Sequence, residues 1–398
     1  MEAPSLTADV VIIGGGPAGL ATAIAARMQG LHVVVLDAGR PPVDKVCGEG
    51  LMPDAVAALH RLGIPVTPAD GAPFVGIRFV AEHQRVAASF PHGLGIGMRR
   101  LRLHQRLIDR ASALGVGLYW ETPVRTITPT VVYGQGERLA YRWLIAADGI
   151  QSGTRRRMGL HQPTSTRQRL GFQCHYQVSP WSEYVELHWG QRCQAVITPV
   201  GGHEVSVCLL TQDTRHRFSD LGVLLPQVAA HLQGAEPTTA VRGASTGTRQ
   251  FQQVYRDHMG LVGDASGSVD AITGEGLCLA FQQAEALAAA LATGNLAPYA
   301  LAHGHLVRRP RRMAALMLLM DGRQRLRHRT MQALATVPEA FAALLAYHVG
   351  QPSLVHLGWR TPFALGWQWL AGEAVRGVPP GHLRGENRPG PSTAPTSP

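Results

Sequence analysis

Ala8-Asp9-Val10-Val11-Ile12-Ile13-Gly14-Gly15-Gly16-Pro17-Ala18-Gly19 decides how this chain is read. A short apolar run rich in β-branched residues has the pattern of a strand buried on both faces. It ends in glycines, and the small-residue segment LATAIAARMQG then predicts a helix ending near Gly30, with Leu31–Leu36 as a second buried strand. G-x-G-x-x-G therefore stands in the strand, turn and helix setting that gives it meaning. There Gly14 makes the tight turn and Gly16 lets backbone N–H groups approach a pyrophosphate, with Pro17 and Ala18 in the same cradle. Gly19 lets helix and strand pack closely. Asp37 closes the second strand about 20 residues beyond the glycines, where a carboxylate can accept from ribose hydroxyls. The unit predicts a dinucleotide.

A chain of 398 residues exceeds the usual size of one core and predicts two or more packed regions. The 45% hydrophobic and 16% charged content describes an ordered, rather apolar protein. A net charge of +10 suits phosphorylated cofactors or an anionic surface. Nucleic acid is not expected, because no zinc finger, RNA-binding aromatic motif or concentrated basic helix is present. Lys45 is the only lysine, so every other basic side chain of the Lys+Arg count is arginine. The cysteines at 47, 174, 193, 208 and 278 form no C-x-x-C pair, which predicts neither a disulfide frame nor a metal site and fits a reducing cytoplasm. The N-terminal run lacks the basic flank of a signal peptide. No apolar stretch reaches the roughly 18 residues of a spanning helix.

Two further segments narrow the dinucleotide. Trp143-Leu144-Ile145-Ala146-Ala147-Asp148-Gly149 is a strand running into Asp-Gly and then the basic turn Ile150–Arg155. Gly260-Leu261-Val262-Gly263-Asp264-Ala265-Ser266-Gly267 runs into Gly-Asp, followed by Thr273-Gly274-Glu275-Gly276 and the helix LCLAFQQAEALAAAL. In this order they resemble the FAD-binding pattern of the flavoprotein monooxygenase (p-hydroxybenzoate hydroxylase-like) and geranylgeranyl reductase superfamily, across residues 8 to 300. The resemblance implies an α/β fold: a Rossmann-like FAD-binding domain of the glutathione reductase type, an inserted β-sheet substrate domain and a C-terminal helical region. It implies that Gly263 and Asp264 hold the ribityl chain and pyrophosphate, and that Asp148 and Gly149 lie near FAD and the nicotinamide donor. Arg100, in an R-x-x-hydrophobic-x-x-x-L pattern, would contact FAD, with Arg99 as the alternative. The helix opening after Gly274-Glu275-Gly276 presents free N–H groups suited to negative charge on a reduced ring. No second glycine-rich unit appears, so NAD(P)H would visit the flavin without a domain of its own.

Asp44-Lys45-Val46-Cys47-Gly48-Glu49-Gly50-Leu51-Met52-Pro53 resembles the K-x-C-G-x-x-L-x-P loop of geranylgeranyl reductases, which reaches the flavin ring. It would place Lys45, Cys47 and Gly48 at the cofactor and Cys47 on its substrate side, with Lys45 the nearest sequence candidate to lower the thiol pKa. T-G-E-G also matches the reductase branch, although the family's preceding proline is Ala271 here. From 166 to 249 the segments GFQCHYQV, YVELHWG, CQAVITPV and HEVSVCLLT read as strands walling the flavin, joined by strands from Phe74–Phe90. Tyr176, Tyr184, His188 and Trp189 are the pocket candidates, and alternation admits only some of them. Against a polyprenyl reductase, the family's Tyr-x-Trp-x-Phe-Pro-Lys signature is replaced by Gln194-Ala195-Val196-Ile197-Thr198-Pro199-Val200. Halogenation is not expected, because those relatives rely on a lysine well beyond the flavin loop.

The expected organisation is a discontinuous FAD-binding domain (1–73, 97–165, 250–300), a β-sheet substrate domain (74–96, 166–249), a helical region (301–376) and a disordered tail (377–398). Arg-rich patches at 308–312 and 323–329 flank MAALMLLM, predicting helices that cap the cavity, or a peripheral contact with the inner face of a membrane. The chain reads as a cytoplasmic FAD-dependent oxidoreductase acting on a hydrophobic small molecule of isoprenoid or polyketide secondary metabolism. The leading expectation is an NAD(P)H-dependent monooxygenase, hydroxylating or epoxidising through a flavin C4a-hydroperoxide. The alternative is a C=C reductase with Cys47 on the proton path, and a further class is a flavin-binding protein without turnover. Oligomeric state and the choice of NADH or NADPH stay open.

Overall fold

The computed structural model describes residues 6–134 and 137–350. Leu6–Ile13 is a central strand of an eight-stranded sheet, with Val33–Leu36 on one side and Glu137–Ala146 on the other, all parallel. Gly117–Tyr119 extends it beyond Val33–Leu36, and Met259–Leu261 beyond Glu137–Ala146. The unbroken apolar runs follow from burial on both faces. Val10, Ile12, Val33 and Val35 pack with Leu20, Ile24, Phe281 and Leu287 from the helices Pro17–Met28 and Gly276–Thr293. Val11, Ile13, Val34 and Leu36 pack on the opposite face with Met158 and Leu160. In register, Ile13 stands beside both Leu36 and Ala146, so the loops beginning at Gly14, Asp37 and Ala147 leave the same sheet edge. Ligands of open α/β sheets bind at that carboxyl edge.

A second eight-stranded sheet carries the four strands expected from 166 to 249, here Pro163–Gln177, Val185–Trp189, Cys193–Gly201 and Glu204–Thr211. Gly76–Ala81 and Gln84–Ser89 join it through a parallel pairing of Gly76–Ala81 with Val185–Trp189. Arg242–Phe251, RGASTGTRQF, is a strand that polar composition hid; it pairs along most of Pro163–Gln177. One face of this sheet is closed by Phe218, Leu221, Leu225 and Val228 of short helical segments, packed on Ala195, Ile197, Val207 and Leu209. The other carries Val185, Leu187, Cys208 and Leu210 into a core shared with Phe74. A small sheet of Gly50–Leu51, Ala72–Phe74 and Gly95–Gly97 lies at the junction.

Helices Ala297–Asp321, Gln324–Thr336 and Pro338–His348 roof that junction: Met317, Met331, Leu334, Phe341 and Leu345 share a core with Phe74, Val185 and Leu187. The expected helical residues 351–376 and the tail 377–398 lie outside the described residues. Among the described residues no helix is long and apolar enough to cross a membrane.

Candidate active site

One cavity of about 730 Å³ runs from the glycine turn to the C-terminal helices. Gly14, Gly16, Pro17, Ala18, Asp37, Arg100, Asp148, Gly149, Gly263 and Asp264 line one end, all expected there from sequence. Gly19 lies behind the wall, where a Cβ would stand 1.8 Å from the Gly14 carbonyl oxygen; its absence lets the helix approach the turn. At Gly16 a Cβ would meet nothing within 4 Å, so this glycine leaves space on the cavity side and not against protein. Asp37 accepts from the Gly15 N–H at 2.5 Å through one oxygen and from the Gly39 N–H at 2.7 Å through the other. The carboxylate thus orders the glycine turn as well as facing the cavity.

Two residues that the sequence reading did not single out fix this end. His104 accepts from the Val43 N–H at Nδ1 (2.9 Å), leaving Nε2–H to donate to the Gly15 carbonyl at 2.7 Å. Burial lowers its pKa, as this neutral tautomer requires. Arg155 is fully buried and donates to the carbonyls of Ala265 (2.8 Å) and Ile150 (3.2 Å), tying the Gly-Asp loop to the Asp-Gly loop. Asp148 turns its carboxylate to its own loop, accepting from Ser152 Oγ and, at 2.9 Å, from the Thr154 N–H. His104 follows the expected arginine motif by four residues, but nothing in its spacing reveals a partner near position 15.

Lys45, Val46, Cys47 and Gly48 border the middle of the cavity. Their loop is pinned to the second sheet by side chains. The Gln173 amide accepts from the Cys47 N–H (3.1 Å) and donates to the Cys47 carbonyl (2.7 Å), reproducing a sheet rung. Thr198 donates to the Gly48 carbonyl at 2.7 Å. Glu49, buried and at φ 57°, meets His175 Nε2 at 2.6 Å and accepts from the Arg100 N–H at 2.7 Å. Burial raises the Cys47 pKa, Arg100 opposing and Glu49 reinforcing, so the thiol stays protonated through neutral pH. Lys45 instead points to Asp264, 3.8 Å away. The cation acting on the thiol is Arg100, and Arg100 Nε is buried without a hydrogen-bond partner at the cavity wall.

Beyond the loop the lining becomes apolar, with Phe79, Val185, Leu187, Met317, Leu334 and Phe341. The four pocket candidates lie outside this lining. Along Val185–Trp189, alternation sends Val185 and Leu187 inward and His188 outward to Glu186 at 2.8 Å. Trp189 packs edge-on against Phe79, 6.0 Å between centroids, outside the cavity lining. Tyr184 lies beneath the Arg78 guanidinium, 4.7 Å from its ring centroid. Tyr176 packs with Phe172 and Cys174 against the face closed by short helices, one residue out of phase with Gln173 and His175. Glu275, expected at the cofactor, also lies outside the lining. Thr273, Gly274 and Gly276 line the cavity, whereas the Glu275 side chain is buried behind them.

A parallel sheet whose glycine turn, Asp-Gly loop and Gly-Asp loop converge on one elongated cavity, apolar at its far end, defines an oxidoreductase built around a dinucleotide cofactor. The open wall at Gly16 and the unpaired Arg100 Nε fit such a cofactor. The chain belongs to the FAD binding domain family, whose model matches residues 7–295, within the flavoprotein monooxygenase superfamily. FAD is therefore the dinucleotide that the glycine end serves. Menaquinone reductase of Mycobacterium tuberculosis (strain ATCC 25618 / H37Rv) is 28% identical over 301 residues, 68% of this chain and 73% of that protein. The 6-methylpretetramide 4-monooxygenase of Streptomyces rimosus is 28% identical over 171 residues, 38% of this chain and 30% of its own length. A solved flavoprotein/dehydrogenase from Cytophaga hutchinsonii shares the fold with a TM-score of 0.77 at 18% identity, covering 92% of this chain and 99% of that one.

Proposed function

We propose that this FAD-dependent oxidoreductase reduces a C=C bond in a lipophilic small molecule of the quinone or isoprenoid kind, with NAD(P)H as electron source. The observation that carries this reading is the Cys47 thiol, protonated, partly buried and set between the cofactor end and the apolar end of one cavity. Saturating a C=C bond needs a hydride at one carbon and a proton at the other, and bound FAD supplies the hydride after reduction. Cys47 is the proton donor. Gln173 and Thr198 hold its loop by the backbone, and the loop's own Glu49 side chain ties it to the Arg100 N–H, so the donor stays in place while its charge changes. Phe79, Leu187, Met317 and Phe341 bind the apolar body of the substrate and exclude water from the reacting bond. The menaquinone reductases support the reductase side of this reading, since they align over 68–74% of this chain, against 38–39% for the monooxygenases.

Oxygen transfer, placed first from sequence, is the second reading, supported by those monooxygenases and by the same dry cavity. Incubation with NADPH or NADH and a panel of menaquinones and isoprenoids separates the two. A product still heavier by about 2 Da after any quinol has been reoxidised in air establishes C=C reduction, and one heavier by about 16 Da establishes oxygenation. Nucleotide oxidation with neither product would leave the assignment to C=C reduction unsupported.

The route in is also part of the proposal. Leu301, Leu316 and Leu319 are exposed on helix Ala297–Asp321 beside exposed Arg308 and Arg312, and Leu316 also borders the cavity. An apolar face with flanking arginines suits docking on an anionic bilayer, from which a lipophilic substrate would enter.

A further inference from the structure

Glu275 immediately precedes the 18-residue helix Gly276–Thr293, and its side chain is 1% exposed. Neither carboxyl oxygen has a hydrogen-bond partner. Arg309 Nη2 lies 3.6 Å away and His348 Nδ1 3.5 Å away, both from the roofing helices. Asp54, on helix Pro53–Arg61, shares Arg309 at 3.7 Å and accepts from the Cys278 thiol at 3.1 Å. His348 Nε2 donates to the Thr273 carbonyl at 3.0 Å. A titratable carboxyl therefore stands on the protein side of a helix end whose cavity side is formed by Thr273, Gly274 and Gly276.

The geometry points to Glu275 as the residue that sets how easily the bound flavin is reduced: protonated, it leaves the positive helix end to act unopposed on the ring, and ionised, it cancels that field. The inference rests on FAD occupying this cavity. Ring reduction adds negative charge, which a helix N-terminus stabilises and a nearby carboxylate destabilises. Burial holds the Glu275 carboxyl up to about 8, Arg309 opposing and Asp54 reinforcing. His348 cannot supply a compensating charge, because burial holds its pKa down to about 4. Asp54 and Cys278 are likewise raised by burial; Arg309 is the cation in contact with both carboxyls, and Arg61, itself paired with Glu285, acts on Asp54 and Cys278 from the same helix as Asp54.

Spectroelectrochemical titration of the FAD-loaded full chain, from about pH 6 to about pH 10, brackets this ionisation. The wild-type midpoint potential should fall below that of Glu275→Gln above pH 8 and run parallel to it well below. Superimposable pH dependences would overturn the inference while leaving FAD binding intact. A chain that binds no FAD would overturn the reading beneath it instead. Should Glu275→Gln fail to fold, the wild-type protein decides. Infrared difference spectra on flavin reduction, recorded for the wild type and for Asp54→Asn so that the other raised carboxyl is removed, should contain a protonated-carboxyl C=O band at pH 6 that is gone at pH 10, and its absence from Asp54→Asn at both overturns the inference.

Discussion

Gly16 and Gly19 belong to one motif yet answer to different neighbours, and substitution separates them. Gly16→Val places its Cβ in open space on the cavity side, so the variant should keep wild-type circular dichroism and lose bound FAD. Gly19→Val drives a side chain into the Gly14 carbonyl, and should instead cost the fold itself, read as loss of soluble protein. A Gly16→Val protein that stays yellow would remove the assignment of this end of the cavity. Cys47 and Gln173 form a second contrast. Cys47→Ala and Cys47→Ser keep the clamp on the backbone, so FAD content should hold while product formation falls by about 100-fold or more, the scale of a lost general acid. Wild-type rates in both variants would make the thiol a filler. Gln173→Leu leaves the Cys47 N–H and carbonyl unpaired, each costing about 1–3 kcal/mol if it stays buried; thermal denaturation should show a lower Tm.

At the scale of elements, the first sheet was legible because its signal is local: a buried strand, a glycine turn and a helix follow one another within Ala8–Gly30. The second sheet's inward face was not. Whether Leu187 or His188 faces the cavity depends on which side the short helices cover, a long-range fact absent from the strand's own residues. Arg242–Phe251 escaped for the converse reason, since its mixed burial leaves no apolar alternation to read. Buried charge joins these elements. Arg169 on strand Pro163–Gln177 meets Asp270 at 2.8 Å, both fully buried, and also donates to Gln194. Arg169→Met should lose roughly 3–5 kcal/mol in denaturant unfolding, and the double change with Asp270→Leu should recover much of it. Equal stability of single and double variants would show that Asp270 does not depend on this arginine. On the outer face, burial pushes the Glu186 carboxyl up, but hydrogen bonds from His188, Trp181 and Arg78 prevail and hold it down to about 2. A depressed carboxylate contributes stability above its ordinary pKa and loses it as pH falls through the folded value. Wild-type stability should therefore drop between about pH 4.5 and pH 2 more steeply than that of Glu186→Gln, and parallel curves would discount this group.

Among the described residues, two sheets and a helical roof line a cavity that, under the proposed function, cofactor and substrate share. If the roof's outer face meets lipid, the protein should sediment with anionic vesicles at low ionic strength and be released as salt screens the arginines, within a Debye length of about 10 Å at 0.1 M. Arg308→Glu/Arg312→Glu should weaken sedimentation without changing FAD content, and equal sedimentation would assign vesicle binding elsewhere. Lys45, half-exposed on the wall of that shared space beside Asp264, is also the chain's sole lysine. An acylating probe thus has one side-chain amine to find, and it lies within the cavity. The extent of covalent tagging at Lys45 becomes an occupancy gauge, falling as ligand fills the site. Conversely, any lysine-directed coupling used to tether or fluorescently mark this protein would do so at the expense of its own cavity.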